Sequence, residues 1–166
     1  MSYPGHPTEN PYATPTENSL ELPRYGAKFG EAIQRFFKKY ATFSGRASRS
    51  EYWWVALLSF LVSIIGQIAM TAGGAATADP YTQEPGSGMI PGLVIVIIYG
   101  LATLVPSIAV SVRRLHDGNF SGWLYLLVLI PVLGGLAIFV LMLLPSNPAG
   151  VRFDKAQAWS AAQPTA

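Results

Sequence analysis

The chain has 166 residues, of which 51% are hydrophobic and only 12% are charged, and its formal net charge is +2. A soluble domain carries about a quarter charged residues in its solvent-facing shell, so this composition indicates a membrane protein. The absence of cysteine excludes disulfides, thiol nucleophiles, cysteine-based zinc sites and iron–sulfur clusters. The polar N-terminal segment lacks the apolar core of a signal peptide, so we expect insertion to begin at the first internal apolar segment.

Residues 1–25 are predicted to form a disordered tail, because prolines are spread through them and few residues are apolar. The sequence Pro-Thr-Glu-Asn occurs twice, at residues 7–10 and 15–18. Such a segment buries too little apolar surface to offset the entropy lost on ordering. Its tyrosines leave open a role in contacting a partner protein, although an inert tail is the simpler interpretation.

Residues 27–43 are predicted to form an amphipathic helix. With about 100° of rotation per residue, basic residues fall opposite an aromatic and aliphatic face. The apolar face consists of Phe29, Ile33, Phe36, Phe37, Tyr40 and Phe43, and the basic face of Lys28, Arg35, Lys38 and Lys39. This pattern suits a helix lying in the headgroup layer of an anionic membrane. The alternative is a helix that packs on the rest of the protein by the same apolar face.

Three long apolar segments follow, at residues 52–72, 89–112 and 122–144, and none contains a charged residue or histidine. Each exceeds the roughly 20 residues that cross a hydrocarbon core about 30 Å thick. The sequence therefore predicts an all-α membrane protein with three transmembrane helices. The membrane domain covers residues 26–154, and residues 155–166 form a short C-terminal tail.

Local signals mark the ends and interiors of these segments. Ser48 and Glu51 have the spacing of a capping box, and interfacial aromatics are expected at Trp53, Trp54 and Trp123. Prolines lie inside the second and third segments, and each should bend its helix by freeing a carbonyl. In the second segment Pro106 frees the carbonyl of Ala102, for which Thr103 is the expected hydrogen-bond partner.

The basic residues predict the orientation of the chain. Seven of them precede the first apolar segment, two lie between the second and third, and two follow the third. The loop between the first two segments, residues 73–88, contains none. A cytoplasmic N-terminus places nine basic residues inside and two outside, so we expect that orientation by the positive-inside rule. With three crossings, the C-terminal tail would then lie outside. The alternative is a third segment that re-enters at Pro131 and Gly134, which would leave the tail inside.

Two polar clusters flank the apolar segments. Residues 43–53 read Phe-Ser-Gly-Arg-Ala-Ser-Arg-Ser-Glu-Tyr-Trp, and residues 113–123 read Arg-Arg-Leu-His-Asp-Gly-Asn-Phe-Ser-Gly-Trp. Together they resemble a bacterial membrane family known as domain of unknown function 805. That family is similar in its Arg-x-x-Arg-x-Glu-Tyr-Trp and Arg-Arg-Leu-His-Asp motifs and in a later Ser-Gly-Trp. The resemblance covers residues 36–154 and implies a multi-pass protein of the bacterial inner membrane, but no reaction.

The resemblance weakens at its C-terminal end. Family members often end with Asn, one residue, an aromatic residue and then Gly, where this chain has Val-Arg-Phe-Asp at residues 151–154.

The two clusters supply the candidate site, which consists of Arg46, Arg49, Glu51, Arg113, Arg114, His116 and Asp117. We expect ion pairs that join Glu51 to Arg113 or Arg114, and Asp117 to Arg46 or Arg49. One alternative is that the arginines bind an anion, either a lipid headgroup or a cytosolic phosphate compound, because guanidinium donates two parallel hydrogen bonds to phosphate. Another is that they only anchor the helices at the interface.

Other chemistries find little support. A metal site needs three or four ligands, and the second histidine, His6, lies in the tail. We expect no cofactor, no catalytic set and no nucleic-acid binding, because the sequence lacks the nucleotide and metalloprotease motifs and the basic residues are explained by topology.

The leading functional prediction is a non-enzymatic envelope protein that binds lipid or partner proteins at its cytoplasmic face. A small transporter or channel subunit, acting as a homo-oligomer, and an enzyme that modifies lipid headgroups with His116 as base remain the alternatives.

Overall fold

The computed structural model describes residue 20 and residues 22–82 and 84–154, so most of the predicted disordered tail and the whole C-terminal tail lie outside the described residues. The described chain is helical and contains no strand, which confirms the predicted all-α class. Within residues 22–82 and 84–154 there are four α-helices: α1 (Phe29–Lys38), α2 (Arg49–Ala76), α3 (Ile90–Asp117) and α4 (Leu133–Leu143). Short 3₁₀ helices occupy Ser87–Met89, Gly122–Leu129 and Pro148–Phe153.

Helices α2 and α3 form an antiparallel hairpin and are both long and apolar enough to cross a membrane. Each has 28 residues and is therefore about 42 Å long at 1.5 Å per residue. This exceeds a hydrocarbon core of about 30 Å, so the ends project into the headgroup layers. The predicted segment 52–72 lies within α2, and the predicted segment 89–112 lies within α3 except for Met89, which ends the preceding 3₁₀ helix.

Glycines allow the two long helices to approach closely. A Cβ atom at Gly92 would lie 2.5 Å from the backbone nitrogen of Met70, and one at Gly66 would lie 2.3 Å from Cγ2 of Val96. Side chains larger than hydrogen would therefore force the backbones apart. Nearer the middle of the hairpin, the hydroxyls of Ser59 and Tyr99 are hydrogen-bonded at 3.0 Å.

The third apolar segment is helical but is not one continuous helix. Its first arm is the 3₁₀ helix Gly122–Leu129, and its second arm is α4. Between them Pro131 has no amide hydrogen to donate, and Val132 adopts a positive φ of 63°. Each arm is about 16 Å long, because the rise per residue is about 2.0 Å in the 3₁₀ helix and about 1.5 Å in α4. Each therefore spans roughly half of a hydrocarbon core about 30 Å thick.

Both ends of this segment lie at the same end of the α2–α3 hairpin. A Cβ atom at Gly122 would lie 2.7 Å from Cγ1 of Val112, one turn before the charged end of α3. After α4, the amide of Asn147 donates to the carbonyl of Asp117 at 2.8 Å. The structure thus differs from the expected third crossing, because the proline-containing turn sends the chain back. Residues 145–154 therefore lie at the same end of the hairpin as residues 113–122, and we call residues 122–144 the re-entrant segment.

Helix α1 is shorter than predicted and has a different exposed face. Phe36 is buried, but so are Arg35 and Lys39, which the helical pattern placed on the solvated side. Arg35 is buried because its guanidinium reaches Glu51 on α2. The other apolar-face aromatics of this region, Phe29, Phe37, Tyr40 and Phe43, are exposed.

Tyr40 has a structural role that the sequence did not reveal. Its hydroxyl donates to the carbonyl of Ala102 at 2.9 Å, the acceptor that Pro106 leaves without an amide donor. The expected partner, Thr103, donates instead to the carbonyl of Tyr99 at 2.7 Å. The segment after α1 therefore stabilises the proline site of α3.

Candidate functional site

A cluster of buried charges lies where α2 begins and α3 ends, and we call it the polar cap. Its members are all at most 9% exposed: Arg35, Lys39, Arg46, Glu51, Arg113, Arg114, Asp117 and Asp154. Burying a charge is costly unless it is paired and hydrogen-bonded. The pairing of these eight residues therefore decides what the cap can do.

Glu51 joins α1 to the start of α2. Its carboxylate accepts from the backbone amide of Ser48 at 2.9 Å, while Ser48 Oγ accepts from the amide of Glu51 at 3.2 Å, which confirms the predicted capping box. The other carboxylate oxygen accepts from Nε of Arg35. One carboxylate thus closes the first turn of α2 and also binds α1.

Asp117 is fully buried and accepts hydrogen bonds from three different residues. Its oxygens accept from Nη1 of Arg114 at 2.6 Å, from the hydroxyl of Tyr25 at 2.8 Å and from Oγ of Ser146. Burial, and then the hydrogen bond to Asp117, raises the pKa of Tyr25. Arg114 also donates to the carbonyl of Leu144. This group therefore ties the N-terminal segment and the end of α4 to α3.

Asp154 fastens the C-terminal end of the described chain to the cap. Arg46 donates to it through Nε at 3.1 and 3.0 Å and through Nη2 at 2.7 Å. The amide of Gly45 donates to the carbonyl of Phe153 at 2.9 Å beside this pair. Asp154 lies where the chain departs from the family's usual ending. Apart from its carboxylate, nothing in the sequence marked it as a residue of the site.

The ion pairs are therefore not the predicted ones. Glu51 pairs with Arg35 rather than with either arginine of α3, and Asp117 pairs with Arg114 rather than with Arg46 or Arg49. Spacing along the sequence could not reveal this, because the partners of Glu51 and Arg46 come from segments outside the two motifs. The candidate site did not include Arg35, Lys39 and Asp154, which belong to the cap, or Tyr25, which donates to Asp117.

Two cations of the cap have no carboxylate within salt-bridge distance among the described residues, Lys39 and Arg113. Arg113 donates through Nε to the carbonyl of Ala109 at 3.2 Å, and its buried Nη2 has no hydrogen-bond partner. Burial, together with repulsion by Arg35 and Arg113, lowers the pKa of Lys39 to about 8. The cap therefore holds an excess of positive charge on its α1 side.

His116, Trp53 and Trp123 occupy three different environments. The His116 ring stacks on Phe153 with centroids 4.0 Å apart, and its Nδ1 lies 3.1 Å from the carbonyl oxygen of Gly45. Trp53 packs edge-on against Phe139, whereas Trp123 is 80% exposed. No group of three metal-ligating side chains occurs among the described residues.

Arg49 stands apart from the buried pairs. It is the first residue of α2, is exposed, and donates through Nε to the carbonyl of Leu144 at 3.0 Å. Trp54, one turn further, donates through Nε1 to the carbonyl of Ala27 at 2.9 Å. Arg49 thus lies on the same face of α2 as Trp53 and Trp54.

Comparison with known proteins places this arrangement in a family. Residues 40–155 match the family described as Protein of unknown function (DUF805). The chain is 33% identical to inner membrane protein YhaH of Escherichia coli K12 over 120 residues, 72% of this chain and 89% of that protein. It is 36% identical to inner membrane protein YhaI of the same strain over 104 residues, 62% of this chain and 75% of that protein. No solved structure matches the chain. The chain therefore belongs to the DUF805 family of bacterial inner-membrane proteins.

Proposed function

We propose that this protein is a non-enzymatic inner-membrane protein that holds the polar cap at the cytoplasmic face and binds anionic lipid there. The observation that carries the proposal is the cap itself. Ion pairs join α1 to α2 and Asp154 to the segment before α2. Hydrogen bonds join both to α3 in one body, because the amide of Ala47 donates to the carbonyl of Arg113 at 3.0 Å and Ser146 donates to Asp117. Such a body supplies a fixed surface in the headgroup layer of one leaflet, where anionic lipids attract basic residues.

The distribution of charge supports a cytoplasmic cap. Residues 45–48 and 145–154 lie at the same end of the hairpin, so two crossings and one re-entrant segment would keep both of them on one side of the membrane. The ten lysines and arginines of the described residues would then lie on that side, and none lies in the connection between α2 and α3. This is a stronger asymmetry than three crossings would give, and the positive-inside rule assigns it to the cytoplasm.

Aromatic side chains around the cap support contact with lipid. Phe29, Phe37, Tyr40 and Phe43 are 41–48% exposed on and after α1, and Trp123 extends from the re-entrant segment. Lys28 and Lys38 are exposed beside them. Exposed rings next to basic residues favour insertion at the boundary between headgroups and acyl chains.

The two alternatives have weaker support. An enzyme with His116 as base would need that ring free, but it is stacked and faces a backbone carbonyl. A transporter needs ionisable groups along its path, whereas those of α2 and α3 are confined to the cap end of each helix.

Native mass spectrometry of the protein extracted from its own membrane tests the proposal. We expect anionic phospholipid to remain bound and to be enriched over its share of the total lipid extract. A second sample, washed in a zwitterionic detergent and supplied with equal anionic and zwitterionic lipid, should regain mainly the anionic one. Failure to retain or regain anionic lipid would contradict the proposal. Ion flux through liposomes containing the protein would instead favour the transporter.

A further inference from the structure

Two adjoining clefts meet at the start of α2. One has a volume of about 380 Å³ and is lined by Arg49, Ser50, Trp53, Trp54 and Leu57. The other has a volume of about 370 Å³ and is lined by Tyr25, Gly26, Ser48, Arg49, Ser50 and Ser146. Arg49 and Ser50 line both clefts. The first is walled by indole rings and leucine, and the second by hydroxyl groups.

The polarity of the paired clefts changes along the axis of α2. Arg49 and Ser50 are in the first turn, the two tryptophans in the second, and Leu57 in the third. Because α2 is a candidate membrane-spanning helix, this order runs from the headgroup layer toward the acyl chains. An amphiphile with a polar head and an apolar chain has the same order of polarity.

The walls of the apolar cleft are fixed before any ligand arrives. Trp54 donates to the carbonyl of Ala27 and packs edge-on against Phe29, with centroids 5.7 Å apart. Trp53 packs edge-on against Phe139 of α4, also at 5.7 Å. Binding would therefore cost little ordering of side chains, which favours affinity.

Charge decides what kind of head the cleft accepts. Arg49 has no carboxylate within salt-bridge distance among the described residues, and only its Nε is used, in the bond to Leu144. Asp117, which accepts hydrogen bonds from Tyr25 and Ser146 in the wall of the polar cleft, is already paired with Arg114. The terminal guanidinium nitrogens of Arg49 are therefore available to a phosphate group.

We propose that the paired clefts bind one anionic phospholipid of the cytoplasmic leaflet, with its phosphate on Arg49 and an acyl chain along Trp53, Trp54 and Leu57. The assignment rests on the proposed function and names the site at which it operates. A free phosphate compound would use the same guanidinium but would leave the apolar cleft empty.

The test compares variants in their binding of phosphatidylglycerol and phosphatidylcholine, titrated into the delipidated full-length protein and followed by native mass spectrometry. Loss of a charge-assisted hydrogen bond should weaken phosphatidylglycerol binding by Arg49→Gln roughly 10- to 100-fold. The control, Arg152→Gln, removes an exposed arginine at the same end of the protein and should bind as the wild type does. Leu57→Trp fills the apolar cleft while leaving the charge intact, and it should also weaken binding. Thermal unfolding and near-ultraviolet circular dichroism establish that each variant is folded.

The outcomes separate the site from the function. Equal binding by folded Arg49→Gln and Arg152→Gln would overturn the site but leave the proposed function standing. Absence of anionic lipid from the wild type would overturn both. Binding of glycerol phosphate as tight as that of phosphatidylglycerol would overturn the lipid assignment, as would unchanged binding by folded Leu57→Trp.

Discussion

Replacing Asp154 by asparagine tests whether the C-terminal segment is docked on the polar cap. The substitution keeps the shape of the side chain but leaves Arg46, which is 9% exposed, without a counter-ion. Removing one partner of a buried ion pair costs about 3–5 kcal/mol. Because asparagine still offers Arg46 one acceptor, we expect a loss at the lower end, about 3 kcal/mol. For a chain of this size that corresponds to a decrease in melting temperature of roughly 6–12 °C.

The assay is thermal unfolding in detergent, followed by the near-ultraviolet circular dichroism of the tryptophans. The matched control is Glu31→Gln, whose partner Arg24 lies 3.8 Å away and where both side chains are about half exposed. A surface pair of this kind contributes at most about 1 kcal/mol. Arg46→Met combined with Asp154→Leu should recover much of the loss, because it removes both buried charges. If Asp154→Asn costs no more than Glu31→Gln, residues 145–154 are not held as described.

Two further predictions concern the helix hairpin and the unpaired lysine. Gly92→Ala should lower the free energy of unfolding by about 1–3 kcal/mol, because the new Cβ would lie 2.5 Å from the Met70 nitrogen. In the control, Gly100→Ala, the new Cβ meets nothing within 4 Å, so thermal unfolding should show no loss or a slight gain in stability. Equal losses in the two variants would contradict the close contact. The pKa of Lys39 is about 8 in the folded protein and 10.5 in the unfolded chain, so the unfolded chain binds more protons between these values and stability should rise with pH across that window. The rise in the free energy of unfolding should approach about 3 kcal/mol. It should be absent in Lys39→Met and present in Lys38→Met, the control at an exposed lysine. The same rise in both variants would contradict the burial of Lys39.

The helical class and the two long helices could be predicted from sequence because they follow from local properties. Continuous apolar runs set the approximate positions of α2 and α3, and the Ser48–Glu51 spacing predicted the start of α2 within one turn. The re-entrant turn could not be predicted by hydropathy, because residues 122–144 are uniformly apolar. Its signals were Pro131 and Gly134, and a Cβ atom at Gly134 would lie 1.6 Å from the carbonyl oxygen of Leu127 on the other arm. Such an approach is a tertiary contact that a length criterion does not register.

Part of the polar cap could also be predicted from local properties. Charged residues flanking apolar segments mark an interface, so the two motifs predicted that Arg46, Glu51, Arg113, Arg114 and Asp117 belong to one region, and all five are buried in the cap. The ion pairs depend on which residues are neighbours in three dimensions. The partner of Glu51, Arg35, comes from α1, and the partner of Arg46, Asp154, comes from the C-terminal segment. Amphipathic periodicity placed Arg35 on a solvated face, but the presence of Glu51 beside α1 outweighs that pattern.

The most direct test of the account is the side of the membrane on which the polar cap lies. The natural chain contains no cysteine, so single cysteines at Ser87, Ser121 and Ala149, all exposed, can be labelled in intact cells with a membrane-impermeant maleimide. We expect labelling at Ser87 only, with the other two labelled after the membrane is permeabilised, because both ends of the re-entrant segment lie beside the cap and we propose that the cap is cytoplasmic. Labelling of Ala149 in intact cells would contradict the re-entrant segment, and protection of Ser87 with labelling of Ser121 would invert the whole protein.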